Sequence, residues 1–334
     1  MDFPWTTGAA TGVGSLPYDD RDEAARIVLG ELPDLPHLPE LPNRGAVASM
    51  VARTAALLID LHVDLQPSGW RLIEREGADE RRARSALAAD LDALEIAGHG
   101  LTGPVKVQVC GPSTLAASLE KMRGDRAVSD HGARRDLAES LAEGVRTHVA
   151  DVRRRLPGTQ VLLQLDEPSL PAVLAGSIPT ISGYGRLRPV EAHEAESLLA
   201  LVVQAADVPV VVHSCAPDVP VSLLRRAGAT AVSVDPSVLG GPVLDELAAA
   251  VDEGLAVWPG VVPSTRPATP PTERELAQRI VGLWRRLDQD PAMTAARTVV
   301  TPACGLARAD AGWAREAYAL ASSTARAFAD MAVG

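Results

Sequence analysis

The chain is poor in lysine, cysteine and aromatic residues, and each scarcity narrows what it can do. Lysine occurs only at Lys106 and Lys121, and the arginines are scattered among carboxylates in a chain of net charge -11. Without a basic stripe to face phosphates, nucleic acid is not an expected partner. Three cysteines, Cys110, Cys215 and Cys304, are too few and too dispersed for a disulfide framework, and they fit a reducing compartment. No apolar run reaches the roughly 18 residues that a membrane span needs. The opening residues show no charged segment followed by a hydrophobic one, so no secretory signal is read there. The expectation is a soluble, cytoplasmic protein with no membrane partner.

What is present is ample apolar material, 46% of 334 residues. That length suits either two domains or one (β/α)8 barrel, which takes roughly 250 residues or more. Strand patterns are read at residues 10–16, within 61–72, and at 105–110, 160–165, 208–213, 229–234, 254–262 and 298–302. Helical spacing covers 21–32, 45–61, 79–97, 133–156, 189–206, 220–227, 243–251, 272–287 and 309–331. Most of the strands are continuous in apolar residues, as parallel strands covered on both faces must be. The fold class expected is α/β, a (β/α)8 TIM barrel forming a single domain over residues 1–334. A doubly wound sheet would favour a Gly-rich phosphate turn, and Gly12-Val13-Gly14-Ser15 lacks the third glycine at the right distance. Residues 32–43 place Leu-Pro every third position, which reads as a stiff, extended loop across the end of the barrel.

The chemistry concentrates at strand exits. VVVHSC (210–215) sets His213 and Cys215 two residues apart, on one face of a strand. An imidazole and a thiolate there make half of a tetrahedral zinc site. Cys304 leaves the last strand and Asp235 leaves the strand after His213, so four ligand-competent groups could converge at the mouth of a barrel. Cys110 lies in a β-run with no histidine nearby and reads as a small buried hydrophobe.

The exits VGSLP (13–17), CGPST (110–114), LDEPSL (165–170), HSC (213–215), SVDPS (233–237) and PACGLA (302–307) follow one another as in cobalamin-independent methionine synthases. The chain resembles the catalytic C-terminal barrel of that family. The resemblance implies Zn2+ held by His213, Cys215 and Cys304, with Asp235 where the family usually has a glutamate. It implies that Val13, Gly14 and Ser15 hold the carboxylate of homocysteine and that Asp166 takes its amino group. It further implies that zinc strips the thiol proton and presents the sulfur to an activated methyl group, giving methionine.

Three departures bear on the methyl donor. The family's duplicated N-terminal barrel has no counterpart in this chain. Ser264 or Thr265 stands where the family has a histidine after strand seven, and residues 43–50 carry no carboxylate where a glutamate is expected near the second helix. The donor expected is therefore a methylcobalamin-carrying corrinoid protein, or another donor, rather than folate. Two alternatives stand beside this reading: a zinc-dependent alkyltransferase acting on another thiol, and a non-catalytic zinc-binding barrel that partners a carrier protein.

Overall fold

A computed structural model describes residues 3–333. Helix α1 (Arg21–Glu31) begins where the Asp20 carboxylate accepts from the backbone N–H groups of Asp22 and Glu23. A short α2 (Met50–Ala55) starts at Ser49, whose hydroxyl accepts from Ala52 N, so only part of the expected 45–61 helix is regular. A hairpin follows, β1 (His62–Gln66) and β2 (Gly69–Ile73), and then the long α3 (Ala78–Ala97).

From there strand and helix alternate. The strands are β3 (Gly103–Cys110), β4 (Thr159–Asp166), β5 (Val210–Ser214), β6 (Ala231–Val234), β7 (Ala256–Val262) and β8 (Thr301–Pro302). Between β3 and β4 lie α4 (Pro112–Ser118) and α5 (His131–Arg155), and between β4 and β5 lie α6 (Leu170–Leu174) and α7 (Ala192–Ala206). Then come α8 (Val221–Arg226) after β5, α9 (Gly241–Asp252) after β6, α10 (Glu273–Arg286) and the short α11 (Pro291–Thr294) between β7 and β8, and α12 (Ala311–Val333) last. Among the described residues no helix is long and apolar enough to cross a membrane.

The six strands pair in chain order as one parallel sheet. Its residues alternate between two environments. Val105, Val107, Val109, Leu163, Leu165, Val210, Val212, Val232 and Val234 belong to the main core, which also takes in the helices. The intervening positions near the strand starts, Leu162, Val211, Ala231 and Ala256, form a second cluster with Trp5, Ala9, Leu35, Trp258 and Val299. Continuing the same alternation toward the strand ends gives polar side chains: Gln164 and Asp166, His213, and Ser233, all buried. The inner face is thus apolar at the base and polar at the exits.

Two expected strands turn out differently. Residues 10–16 form isolated parallel bridges, Ala10 to Val300 beside β8 and Ser15 to Glu40. The segment 61–72 is not in the parallel sheet at all but is the antiparallel hairpin, with Asp64 opposite Arg71 in an ion pair of 2.9 Å. Only Val63 and Trp70 of that hairpin are buried, one from each strand, which suits an edge element and not a strand covered on both faces. The Pro-rich segment takes the place beside β3 instead. His37 bridges Lys106, Leu38 N donates to Lys106 O (2.9 Å), and Leu35, Leu38 and Leu41 are fully buried. The extended reading of this segment holds, but it runs alongside the sheet and not across its end, because every third residue is an apolar anchor.

Candidate metal centre

His213, Cys215 and Cys304 come together. Their ligand atoms all lie within 4.8 Å of one another, and the two Sγ atoms are 3.5 Å apart. Two Zn–S bonds of about 2.3 Å at the tetrahedral angle span about 3.8 Å, so the thiols are spaced to share one ion. His213 Nδ1 is 3.0 Å from Ser233 Oγ on the neighbouring strand, and Nε2 is buried with no hydrogen-bond partner. With the proton on Nδ1 donated to Ser233, Nε2 is left as a bare acceptor in the interior. An orphaned acceptor beside two thiols is the arrangement expected of a ligand set. The thiols are not equivalent: the hydrogen bond donated by Cys304 lowers Cys215 to about 7, and holding that proton raises Cys304 to about 12.

Asp235 does not join the three. Its Oδ1 accepts from Ser237 N (2.9 Å) and Ser237 Oγ (2.6 Å), closing its own turn. The shorter side chain at this position is occupied locally.

The residues read as a substrate cradle are drawn toward the same end of the sheet. Leu306 N donates to Ser15 O (2.8 Å), and a Cβ on Gly305 would sit 2.1 Å from Ser15 Oγ, so glycine after Cys304 is what admits that hydroxyl. Val13 O accepts from Lys106 Nζ (3.0 Å) and Gln164 Nε2 (2.8 Å), and Gln164 also donates to Asp166 Oδ1 (2.7 Å). One amide thereby ties the 13–15 turn to Asp166. Burial pushes Asp166 up to about 7, against the pull of His213. Lys106, fully buried, is brought down to about 7 by the same desolvation, with Asp166 and Glu40 opposing it.

Glu167, next to Asp166, has a different task and caps a helix. It accepts from Ser113 N, Thr114 N and Thr114 Oγ1 at 2.7–2.9 Å, at the start of α4. A Cβ on Gly111 would meet its carboxylate at 2.3 Å. Cys110 is fully buried, and its thiol is held well above its ordinary range by burial, as its bland reading required.

Two residues were passed over in the sequence. Ser233 orients His213, and a serine inside a short strand carries no signal of that. Glu40 is buried, its backbone N–H donates to Gly14 O (3.1 Å), and its Oε1 lies 3.5 Å from Arg53 Nε in a buried ion pair. It lies just before the 43–50 stretch in which a carboxylate was sought, within LPELP, where nothing periodic marks it.

Residues 8–327 match the family model described as the cobalamin-independent synthase, catalytic domain. Among solved structures, a B12-independent methionine synthase from Shewanella sp. W3-18-1 in complex with selenomethionine is similar at TM-score 0.63 and 13% identity, over 96% of this chain and 97% of that one. A methyltransferase from Methanosarcina mazei is similar at TM-score 0.56 and 13% identity, over 97% and 93%. At such identity these two likenesses speak for the fold. No curated protein matches the chain.

Proposed function

The chain belongs to the cobalamin-independent synthase catalytic-domain family, and from that premise we propose that it transfers a methyl group to the thiol of homocysteine, giving methionine. The observation that carries this is a set of three donors, His213, Cys215 and Cys304, with one orphaned imidazole nitrogen among them. Three protein ligands leave the fourth tetrahedral position for a substrate, whereas structural zinc sites are closed by four. Bound there, zinc supplies a Lewis acid that favours loss of the substrate's thiol proton.

The chain's own residues do the rest. The Ser15 hydroxyl and the backbone of Val13 and Gly14 bind the substrate carboxylate, and Lys106 with Gln164 holds that turn from beneath. Asp166 and Glu40 are the buried carboxylates nearest that turn in the bonding network, and they take the ammonium group. With both ends of the amino acid held, the sulfur is presented in one orientation. In the transfer, the sulfur lone pair forms the S–C bond as the bond from carbon to the donor's leaving atom breaks. The leaving atom keeps that electron pair, and the thiol proton passes to it or to solvent.

Ser264 and Thr265 in place of a histidine speak against folate, and a corrinoid-borne methyl group or another small donor fits better. The free thiols fit a reducing, cytoplasmic setting. The six-stranded sheet together with residues 9–15 and 36–40 is read as a closed (β/α)8 barrel, because parallel bridges join β8 to the first segment, the first to the second, and the second to β3.

Zinc-edge X-ray absorption on the zinc-loaded protein tests the reading. Homocysteine is expected to raise the sulfur count in the metal shell from two to three, and zinc removal by a chelator is expected to abolish methionine formation. An unchanged shell would overturn the assignment.

A further inference from the structure

Glu40, Arg53 and Asp90 form a row of buried charges that runs from the 13–15 turn out to α3. Glu40 is laced to that turn by its main chain: its N–H donates to Gly14 O (3.1 Å), and its carbonyl accepts from Leu16 N (2.8 Å). Its Oε1 lies 3.5 Å from Nε of Arg53, on α2. Arg53 Nη1 donates to Oδ2 of Asp90, and Arg44 Nη2 donates to the same oxygen at 2.7 Å. All three side chains of the row are more than nine-tenths buried.

Arg53 is bonded at one end only. Among the described residues its Nε and Nη2, the side-on fork of the guanidinium, have no hydrogen-bond partner, and neither does Glu40 Oε1. The fork therefore lies next to the carboxylate without closing on it, and an acceptor is left beside the turn that holds Ser15. Burial pushes the Glu40 carboxyl up from its ordinary range; Arg53 is foremost among the groups that draw it back, ahead of Lys106 and Gln108, while Asp90 raises it. Asp90 is also paired by Arg44 and, at 3.9 Å, by Arg21, and its bond to Arg53 fixes where that positive charge stands.

We propose that Arg53 is a positioning residue, which acts through Glu40 to make the site select a thiol that carries an α-ammonium group. The inference rests on the reading of Glu40 as an ammonium acceptor in methyl transfer, and adds how the chain tells an amino-acid thiol from a plain thiol acid. A guanidinium 3.5 Å away keeps the carboxylate charged in a desolvated site, and because it makes no hydrogen bond to Oε1, that oxygen stays open to the substrate. Lysine supplies the charge but not the flat fork.

The test is a double-mutant cycle of E40Q and R53K on the zinc-loaded protein, with R53Q as a second variant and thermal unfolding as the check that each is folded. Calorimetry compares homocysteine with 4-mercaptobutanoate, which keeps the thiol and the carboxylate and lacks the amino group. The wild type is expected to prefer homocysteine by about tenfold or more. R53K is expected to reduce that preference at least about threefold with 4-mercaptobutanoate bound as before, and R53K added to E40Q is expected to change it no further. A wild type without preference, an unchanged preference in R53K and R53Q, equal weakening of both thiols, or independent effects of the two substitutions would each overturn the inference. So would unfolding of both Arg53 variants, which would make the pair structural. If Arg53 governs the preference but no methionine forms from methylcobalamin or methyltetrahydrofolate, the positioning role stands and the methyl-transfer reading falls. If methionine forms while the Arg53 variants keep the wild-type preference, the outcome is the reverse.

Discussion

Ser233 takes no part in ligation, yet its hydroxyl lies 3.0 Å from Nδ1 and, by accepting the Nδ1 proton, would leave Nε2 of His213 bare. Partners of this kind set the tautomer and ring orientation of a ligating histidine, and losing one costs about 10–100-fold in metal affinity or activity. Ser233→Ala is expected to weaken zinc binding within that range in a competition titration with a chromophoric chelator, while the folded state is kept. An unchanged affinity would mean that packing alone holds the ring. At this scale the ligands themselves were legible in the sequence, because His-x-Cys at the end of an apolar run is a spacing with chemical meaning. Ser233 and Glu40 were not, since a lone serine or a lone glutamate acquires meaning only from what packs against it. Asp235 shows the same dependence on its surroundings. Its position at a strand exit was right, but an aspartate followed two residues later by a serine can close its own turn, and here it does.

The elements show where sequence patterns carry through and where they fail. Strands β3 to β7 were legible because both of their faces are covered, so they read as apolar runs. The position beside β3 was not, because the Pro-rich segment that fills it has the composition of a connector. The polar hairpin offered a more conventional strand pattern in its stead. Helix α4 is tied to its neighbour through Glu167, which satisfies two backbone donors at the helix start and the Thr114 hydroxyl. Leaving buried donors without an acceptor costs roughly 1–3 kcal/mol. Glu167→Ala is expected to lose about that much stability in urea unfolding and to raise hydrogen exchange over 112–118. Glu167→Gln keeps an acceptor and should recover part of the loss. Protection over α4 that does not change in the alanine variant would show that the cap is dispensable.

For the molecule as a whole, the division of the sheet's inner face into an apolar base and a polar exit separates stability from chemistry. Trp258 is the largest fully buried side chain of the base cluster, and it meets Trp5 edge-on at 5.2 Å between ring centroids. Its indole N–H has no partner, so the ring contributes through packing and not through a hydrogen bond. Trp258 shares its level in the sheet with Ser233, which in turn pairs with His213, so the plug and the metal group meet through adjacent strands. Truncating a buried tryptophan to alanine costs about 3–5 kcal/mol, a large part of the 5–15 kcal/mol that typically separates folded from unfolded. Trp258→Ala is therefore expected to lower the unfolding midpoint by roughly 4–7 °C while zinc stoichiometry stays near one per chain. Trp258→Phe, which keeps an aromatic ring and removes the unpaired donor, should lose much less. If the alanine variant remained as stable as the wild type, the base cluster would not be the structural plug described here. If it remained folded but lost its metal, the base and the exits would be one cooperative unit, and the separation of roles along the inner face would fail.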